Sequence, residues 1–351
     1  MIVSHLETKN KTEISAVSAL LVAWYREHER DLPWRRTRDP YAIWISEVVL
    51  QQTRIEQGTA YYRRFLERFP TVTDLASAPL DAVLEVWQGL GYYSRARNLH
   101  KAAQRIVSDF GGRCPERYSD WIQLPGIGAY TAAAIASIAF GEPRAVVDGN
   151  VQRLLSRLWD WDETVGSKAS VQFFQTTAQS LLSDRDPGIF NQALMEFGSQ
   201  WCKPGMPSCE DCVLRTHCRS ADRGTQRDRP VKKRSGAVPS EIWAYAVVCD
   251  PSGWLWVGRR PEQGIWGGLY EFIPRSLYKG GAEAETERIS MSNRLTHKLL
   301  ELELSVFVLP DARSWEGIPG AFCLPPSEWK LKAFPQPLAA ALTRIRGRMS
   351  L

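Results

Sequence analysis

From Ile14 to about Cys218 apolar residues recur at intervals of three and four, the period of helices that bury one stripe, and Pro40, Pro70, Pro79, Gly89, Gly111 and Pro125 interrupt the pattern. The expectation is a run of short helices. Asp39-Pro40 supplies a capping acceptor followed by a proline in the first turn, and Ala78-Pro79 is predicted to open another helix in the same way. Beyond Glu241 the period changes to two: EIWAYAVVCD, WLWVGRR and LLELELSVFVL alternate or run apolar between turns such as Asp250-Pro251-Ser252-Gly253. These segments predict a sheet, and the amphipathic stretch LAAALTRIRGRM predicts a closing helix. The fold class is therefore multi-domain, a mainly α first domain followed by a smaller α+β one.

Residues 220–239 are polar, basic and almost free of large apolar side chains, the composition of a linker. The predicted domains are 1–219 and 240–351, each long enough for its own core. A net charge of +5 over 351 residues favours a polyanionic partner without requiring one. There is no apolar run of about eighteen residues, and MIVSHLETKNKTE lacks the order of a signal peptide, so a cytoplasmic protein with no membrane association is expected. Of seven cysteines, four crowd into the seventeen residues from Cys202 to Cys218. Their spacing, C-x6-C-x2-C-x5-C, suits tetrahedral zinc or an iron–sulfur cubane, and spacing alone does not choose.

Leu124-Pro125-Gly126-Ile127-Gly128 precedes the helical stretch TAAAIASIAF. Glycines at 126 and 128 permit positive φ, and backbone N–H groups at a helix start suit a phosphate, although a tight helix–helix turn explains the same residues. Two acidic residues have surroundings that would set their charge states apart, one neutral and one ionised, a division that suits acid catalysis beside a fixed anion. Glu47, in YAIWISEVVLQQT, has mostly apolar neighbours three and four positions away, and desolvation there favours the neutral acid. Asp148, in AVVDGNVQRLL, is a helix cap whose N–H partners would also keep it ionised.

Several of these segments resemble adenine DNA glycosylases of the MutY family, within the helix-hairpin-helix endonuclease III superfamily. SEVVLQQT is similar to the family signature, VDGNV to its catalytic aspartate segment, LPGIGAYTA to its hairpin (about 119–140), and residues 202–218 to its [4Fe–4S] loop. The resemblance implies a [4Fe–4S] cluster on Cys202, Cys209, Cys212 and Cys218, and DNA phosphate contacts at Gly126 and Gly128. It makes Glu47 the acid that protonates adenine, Asp148 the stabiliser of the sugar cation, and Asn150 its partner. Tyr130 stands where lyase-active relatives carry a nucleophilic lysine, so no Schiff base forms there; a hydrogen bond from Tyr130 to Asp148 is expected.

The resemblance further implies that Trp34, Arg35 and Glu196 form the adenine pocket and that Gln52 and Tyr92 occupy the space of the extruded base. GIWGGLYEF resembles the MutT-like domain that reads 8-oxoguanine, and an acidic REXXEE cluster for Mg²⁺ is missing after Gly281. Leu295-Thr296-His297 matches the family's lesion-reading triplet with Leu in place of Phe, and Leu295 retains an apolar side chain for intercalation. The implied partner is duplex DNA bearing adenine opposite 8-oxoguanine or guanine, bound by a monomer. The alternatives are a thymine glycosylase of the same superfamily and a catalytically silent iron–sulfur DNA-binding protein.

Overall fold

The computed structural model describes residues 11–182, 186–233, 236, 238–280, 285–295 and 297–348. In chain order the helices are α1 (Lys11–His28), α2 (Pro40–Val49), α3 (Ile55–Arg68), α4 (Val72–Ser77), α5 (Leu80–Val86), α6 (Ser94–Phe110), α7 (Tyr118–Trp121), α8 (Ala129–Phe140), α9 (Gly149–Leu158), α10 (Lys168–Leu181), α11 (Pro187–Gln200), α12 (Arg219–Arg223) and α13 (Gln336–Arg348). The strands are β1 (Ser240–Cys249), β2 (Leu255–Arg259), β3 (Tyr270–Glu271), β4 (Ile273–Pro274), β5 (Glu287–Arg294), β6 (Leu299–Val308) and β7 (Ala321–Leu324). Two compact units result, residues 1–73 with 101–234 and residues 74–100 with 235–351.

The first unit is built on α8, whose Thr131 to Ser137 are buried without interruption. Alanine supplies four of those seven positions, so the neighbouring helices α2 and α11 can approach closely. Asp39 caps α2 by accepting from the Tyr41 N–H, and Pro40 occupies its first turn, as the sequence predicts. Pro79, by contrast, is itself the cap position of α5 rather than a first-turn residue.

A buried Asn191 on α11 fixes the extended chain after α8. Its Nδ2 donates to Ser137 Oγ (2.8 Å) and the Arg144 carbonyl (2.7 Å), and its Oδ1 accepts from the Val146 N–H (3.0 Å). Gly198 then lets α11 meet the start of α9: a Cβ there would lie 2.8 Å from the Asn150 carbonyl oxygen. Helix α1 packs on α10 and α11, and its Val17, Leu21 and Trp24 share a core with Cys202 and Leu214, which closes the N-terminal helix onto the cysteine loop.

The second unit is a mixed sheet in the order β3-β2-β1-β6-β5, with β4 also on β1 and β7 on β2. Strands β1 and β6 run parallel from Ser240 beside Leu299 to Cys249 beside Val308, and the remaining pairs are antiparallel. Leu300, Leu302 and Leu304 are buried between exposed Glu301 and Glu303, the period of two seen in the sequence. The apolar run of β1 has a different cause. Tyr245, Val247 and Cys249 face one core with Leu338, Ala341, Leu342 and Ile345 of α13, while Ala246 and Val248 face a second core with Trp256 and Phe307. Periodicity misses β5, because as an edge strand it buries only Ile289 fully.

Two expectations about domain limits change. Residues 74–100 cluster with the sheet, where the Tyr93 hydroxyl donates to the Phe334 carbonyl at 3.3 Å, Arg97 donates to the Gly267 carbonyl and Arg259 pairs with Asp81 at 3.8 Å. The supposed linker is held to the first unit as far as Val231, whose carbonyl accepts from the Val165 N–H at 2.9 Å. The cause is the nearly buried carboxylate of Asp160. Thr225 and Ser220 donate to it at 2.6 and 3.2 Å, and Arg223 and Arg229 each approach it at 2.9 Å.

Burial by itself would raise the Asp160 pKa, but the Thr225, Arg223 and Arg229 contacts outweigh it and hold the carboxyl below its ordinary value of 3.8. A depressed folded-state pKa stabilises the fold fully above the unfolded value, and that contribution fades as acid titrates the group. We expect Asp160→Asn to cost about 2–4 kcal/mol at neutral pH and to open the bonds after Arg223 and Arg227 to trypsin. The loss should shrink below about pH 4, which urea unfolding followed across pH checks.

Candidate active site

An open cleft of about 600 Å³ in the first unit is lined by residues from five separate stretches of chain, a size within the usual range of small-molecule pockets, about 300–1,000 Å³. Glu47 enters from α2, Tyr130 from the first turn of α8, Asp148 and Asn150 from the start of α9, and Glu196 from α11. Trp34 and Arg35 come from a 3-10 turn, Pro33–Arg35, and Gln51 and Gln52 from the turn after α2. The cleft thus gathers eight of the residues singled out in the sequence, Glu47, Tyr130, Asp148 and Asn150 among them. No lysine lines it among the described residues.

Glu47 sits where α2 is apolar on nearly every side. Burial drives its pKa up to about 7; a hydrogen bond with Tyr130 pulls it down, the nearby Asp148 charge pushes it up, and Arg35 pulls it down again. Tyr130 is therefore the neighbour of Glu47. The expected Tyr130–Asp148 hydrogen bond is not formed among the described residues; the Tyr130 hydroxyl donates to Met195 Sδ at 3.2 Å and lies beside Glu47. Burial and the two carboxyl groups raise the tyrosine pKa well above its ordinary value.

Asp148 is the N-cap of α9. One oxygen accepts from the Val151 N–H and the other from Asn150 Nδ2, both at 2.7 Å. Burial raises its pKa, and these hydrogen bonds with the Arg153 charge oppose that rise without cancelling it. The helix-start hydrogen bonds expected to hold this carboxyl low are therefore present but outweighed by burial. Behind it, Arg153 donates to Asn150 Oδ1 (2.9 Å) and to the Cys202 carbonyl (2.8 Å).

Glu196 is buried and saturated. Arg30 donates through Nε (2.7 Å) and Nη2 (2.6 Å), Arg35 through Nη2 (2.7 Å), and Gln200 through Nε2 (2.5 Å). Burial alone would raise its pKa, but the two guanidinium groups bring it to about 2. A fixed anion with two cations leaves one positive charge on this wall, at Arg35, which also faces Glu47. Sequence reasoning missed Arg30 because it lies in the mixed charge run REHERDLPWRR. It missed Arg153 as well, although an arginine amid the apolar positions of α9 is a usable signal.

Trp34 is 9% exposed and packs edge-on to Tyr62 at 5.4 Å, so it serves the core and the cleft together. Gln52 is exposed at the cleft with φ of 57°, a left-handed conformation that costs a non-glycine residue about 1–2 kcal/mol. Tyr92 belongs to the second unit, where it is 52% exposed with φ of 48°. In the hairpin Gly126 has φ of 75°, whereas Gly128 has φ of −92° and caps α8 without needing a left-handed backbone. No side chain caps that helix start.

In the second unit His297 is exposed in the turn between β5 and β6, and Thr296 lies outside the described residues. Leu295 is half-buried and packs against the sheet core. Cys202, Cys209, Cys212 and Cys218 line one further cavity with Leu154, Leu158 and Phe197. Burial pushes the Cys212 and Cys218 thiols up to about 11, so a bound cation is needed to hold them as thiolates at neutral pH. No three metal-ligating side chains among the described residues close on a single ion, which needs each sulfur within about 2.3 Å of one point. Arg215 in this loop pairs with Asp222 at 2.8 Å rather than standing free for phosphate.

Residues 45–177 match the HhH-GPD superfamily of base excision DNA repair proteins. The chain is 43% identical over 228 residues to the human adenine DNA glycosylase, covering 62% of this chain and 42% of that relative, so it spans less than half of that longer protein. A relative in Buchnera aphidicola subsp. Acyrthosiphon pisum, also an adenine DNA glycosylase, is 34% identical over 256 residues, 73% of each chain. Among solved structures a thermostable thymine-DNA glycosylase aligns with a TM-score of 0.55 and 28% identity over 60% of this chain and 98% of its own. With the helical unit superposable on a DNA glycosylase and sequence likeness extending over nearly three quarters of a full-length relative, the chain belongs to the adenine DNA glycosylase family.

Proposed function

We propose that this protein removes adenine from duplex DNA by hydrolysing its N-glycosidic bond where adenine is mispaired with 8-oxoguanine or guanine, and that it does so without a covalent lyase step. The observation that carries this reading is Glu47, lifted to about 7 beside Asp148 in one cleft. A carboxylic acid of that strength is half-protonated near neutrality and can give its proton to a departing purine. Asp148, held by the Val151 N–H and the Asn150 amide, offers negative charge to the developing sugar cation. Tyr130 contributes no amine, and with no lysine lining the cleft among the described residues the nucleophile is water. Exposed and left-handed at the edge of the cleft, Gln52 suits the role of filling the space left by an extruded base. The second unit, with His297 exposed between β5 and β6, would read the opposite base.

A [4Fe–4S] cluster fits the cysteine loop. Cys202, which is buried, and the half-buried Cys209, Cys212 and Cys218 would hold it, and bound there it would supply the positive charge that keeps its ligand sulfurs as thiolates. Arg157, whose Nη1 lies 3.4 Å from Cys202 Sγ, orients that sulfur.

Incubated with a duplex carrying A opposite 8-oxoguanine, the protein should release free adenine and leave an intact abasic strand until alkali is added. Thymine release from a G·T duplex with no adenine release would move the assignment to the thymine enzymes. Glu47→Gln should slow single-turnover excision by about 10²–10⁴-fold while duplex affinity changes little. Because the Glu47 pKa is raised, the acid form is present below about pH 7 and disappears above it, so the wild-type rate should fall on that side. A Glu47→Gln variant that kept the same alkaline limb would remove Glu47 from the reaction. Cys209→Ser should lower protein-bound iron, measured by elemental analysis, well below the about four atoms per chain expected of a cubane.

A further inference from the structure

A second cavity of the first unit, about 540 Å³, lies between the start of α9, the Pro204-Gly205 turn and the chain from Arg227 to Lys232. Arg153, Arg157, Arg227, Arg229 and Lys232 line it, and no Asp or Glu does among the described residues. How those charges are answered decides what the cavity can hold. Arg153 donates to the Cys202 and Gly198 carbonyls at 2.8 and 2.6 Å, and Arg157 to the Lys203 and Gln226 carbonyls at 2.7 and 2.9 Å. Carbonyl dipoles satisfy N–H groups without cancelling a net charge. Arg227 is exposed, and its Nε donates to the neutral Met206 Sδ at 2.7 Å; Lys232 is exposed. Arg229 pairs with Asp160 at 2.9 Å, Arg153 also feels the Asp148 carboxyl, and Arg157 Nη1 meets Cys202 Sγ at 3.4 Å, which leaves Arg227 and Lys232 as the cations with no ion pair among the described residues.

A concave site on whose wall Arg227 and Lys232 are exposed, with no Asp or Glu among the described lining residues, carries a positive potential. Its wall contains no aromatic side chain, so it offers a base no surface to stack on. We propose that this cavity binds an internucleotide phosphate of the DNA strand, with Arg227 and Lys232 contacting its oxygens and Arg153 and Arg157 as fixed charge behind them. The proposal rests on the DNA-directed reading above and extends it. It makes the basic segment after the cysteine loop part of the DNA interface rather than a passive connection, and the contact is independent of sequence.

The test uses the full chain with its bound metal and an undamaged duplex, whose affinity is measured over a series of NaCl concentrations. Arg227→Ala combined with Lys232→Ala should weaken binding roughly three- to thirtyfold and make the slope of log K against log salt shallower by about 1–2. Lys232→Arg, which keeps the charge, should leave the slope as in the wild type. An unchanged slope in the double alanine variant overturns the proposal. Adenine release by the wild-type protein is scored separately: wild type that binds the duplex but frees no adenine refutes the glycosylase reading, while the slope comparison still decides the cavity.

Discussion

A carboxyl group withdrawn from water beside a second carboxyl is costly when ionised, and the first unit is arranged to keep that pair in place. Helix α2 carries Glu47 on a surface with almost no polar relief, and α8 brings the Tyr130 hydroxyl beside it. Asp148 reaches the same cleft only because Asn191 pins the preceding extended chain and Gly198 allows α11 to touch the first turn of α9. These positions lie far apart in sequence, and each supplies a different part of one constraint: two acids close enough to feel each other, with different access to hydrogen-bond donors. Burial raises both groups, and the Val151 N–H and Asn150 amide oppose that rise at Asp148, the kind of difference that a reaction needing both an acid and an anion uses.

The charges around that pair are fixed as well. Glu196 serves as an anchor for Arg30 and Arg35 rather than as a free acceptor, and the remaining positive charge at Arg35 restrains the rise at Glu47. On the other side, Arg153 ties Asn150 to the backbone of Cys202, so the order of the cysteine loop and the position of Asp148 share a common set of hydrogen bonds. Arginine suits this position because its planar fork satisfies several carbonyls and still carries its charge.

The same principle governs the chain after the cysteine loop. A single carboxylate, Asp160, collects Ser220, Arg223, Thr225 and Arg229, and thereby folds a segment of linker-like composition onto the helical unit. Composition reports the average solvation of such a segment. It does not report a partner 60 or more residues earlier.

The sequence by itself determined the two-part division, the helical and strand periods, the cap at Asp39, the cysteine cluster, the hairpin and the candidacy of Glu47 and Asp148, because all of these are written in local spacing and local polarity. It also shows tyrosine at position 130, and hence the missing amine. Tertiary structure alone decided which neighbour Tyr130 bonds, that Glu196 is neutralised by Arg30 and Arg35, that residues 74–100 belong with the sheet, and that Leu295 faces a core. These outcomes depend on distances between residues remote in the chain and on how much water each group loses when they meet. Neither quantity is encoded in the spacing of a single segment.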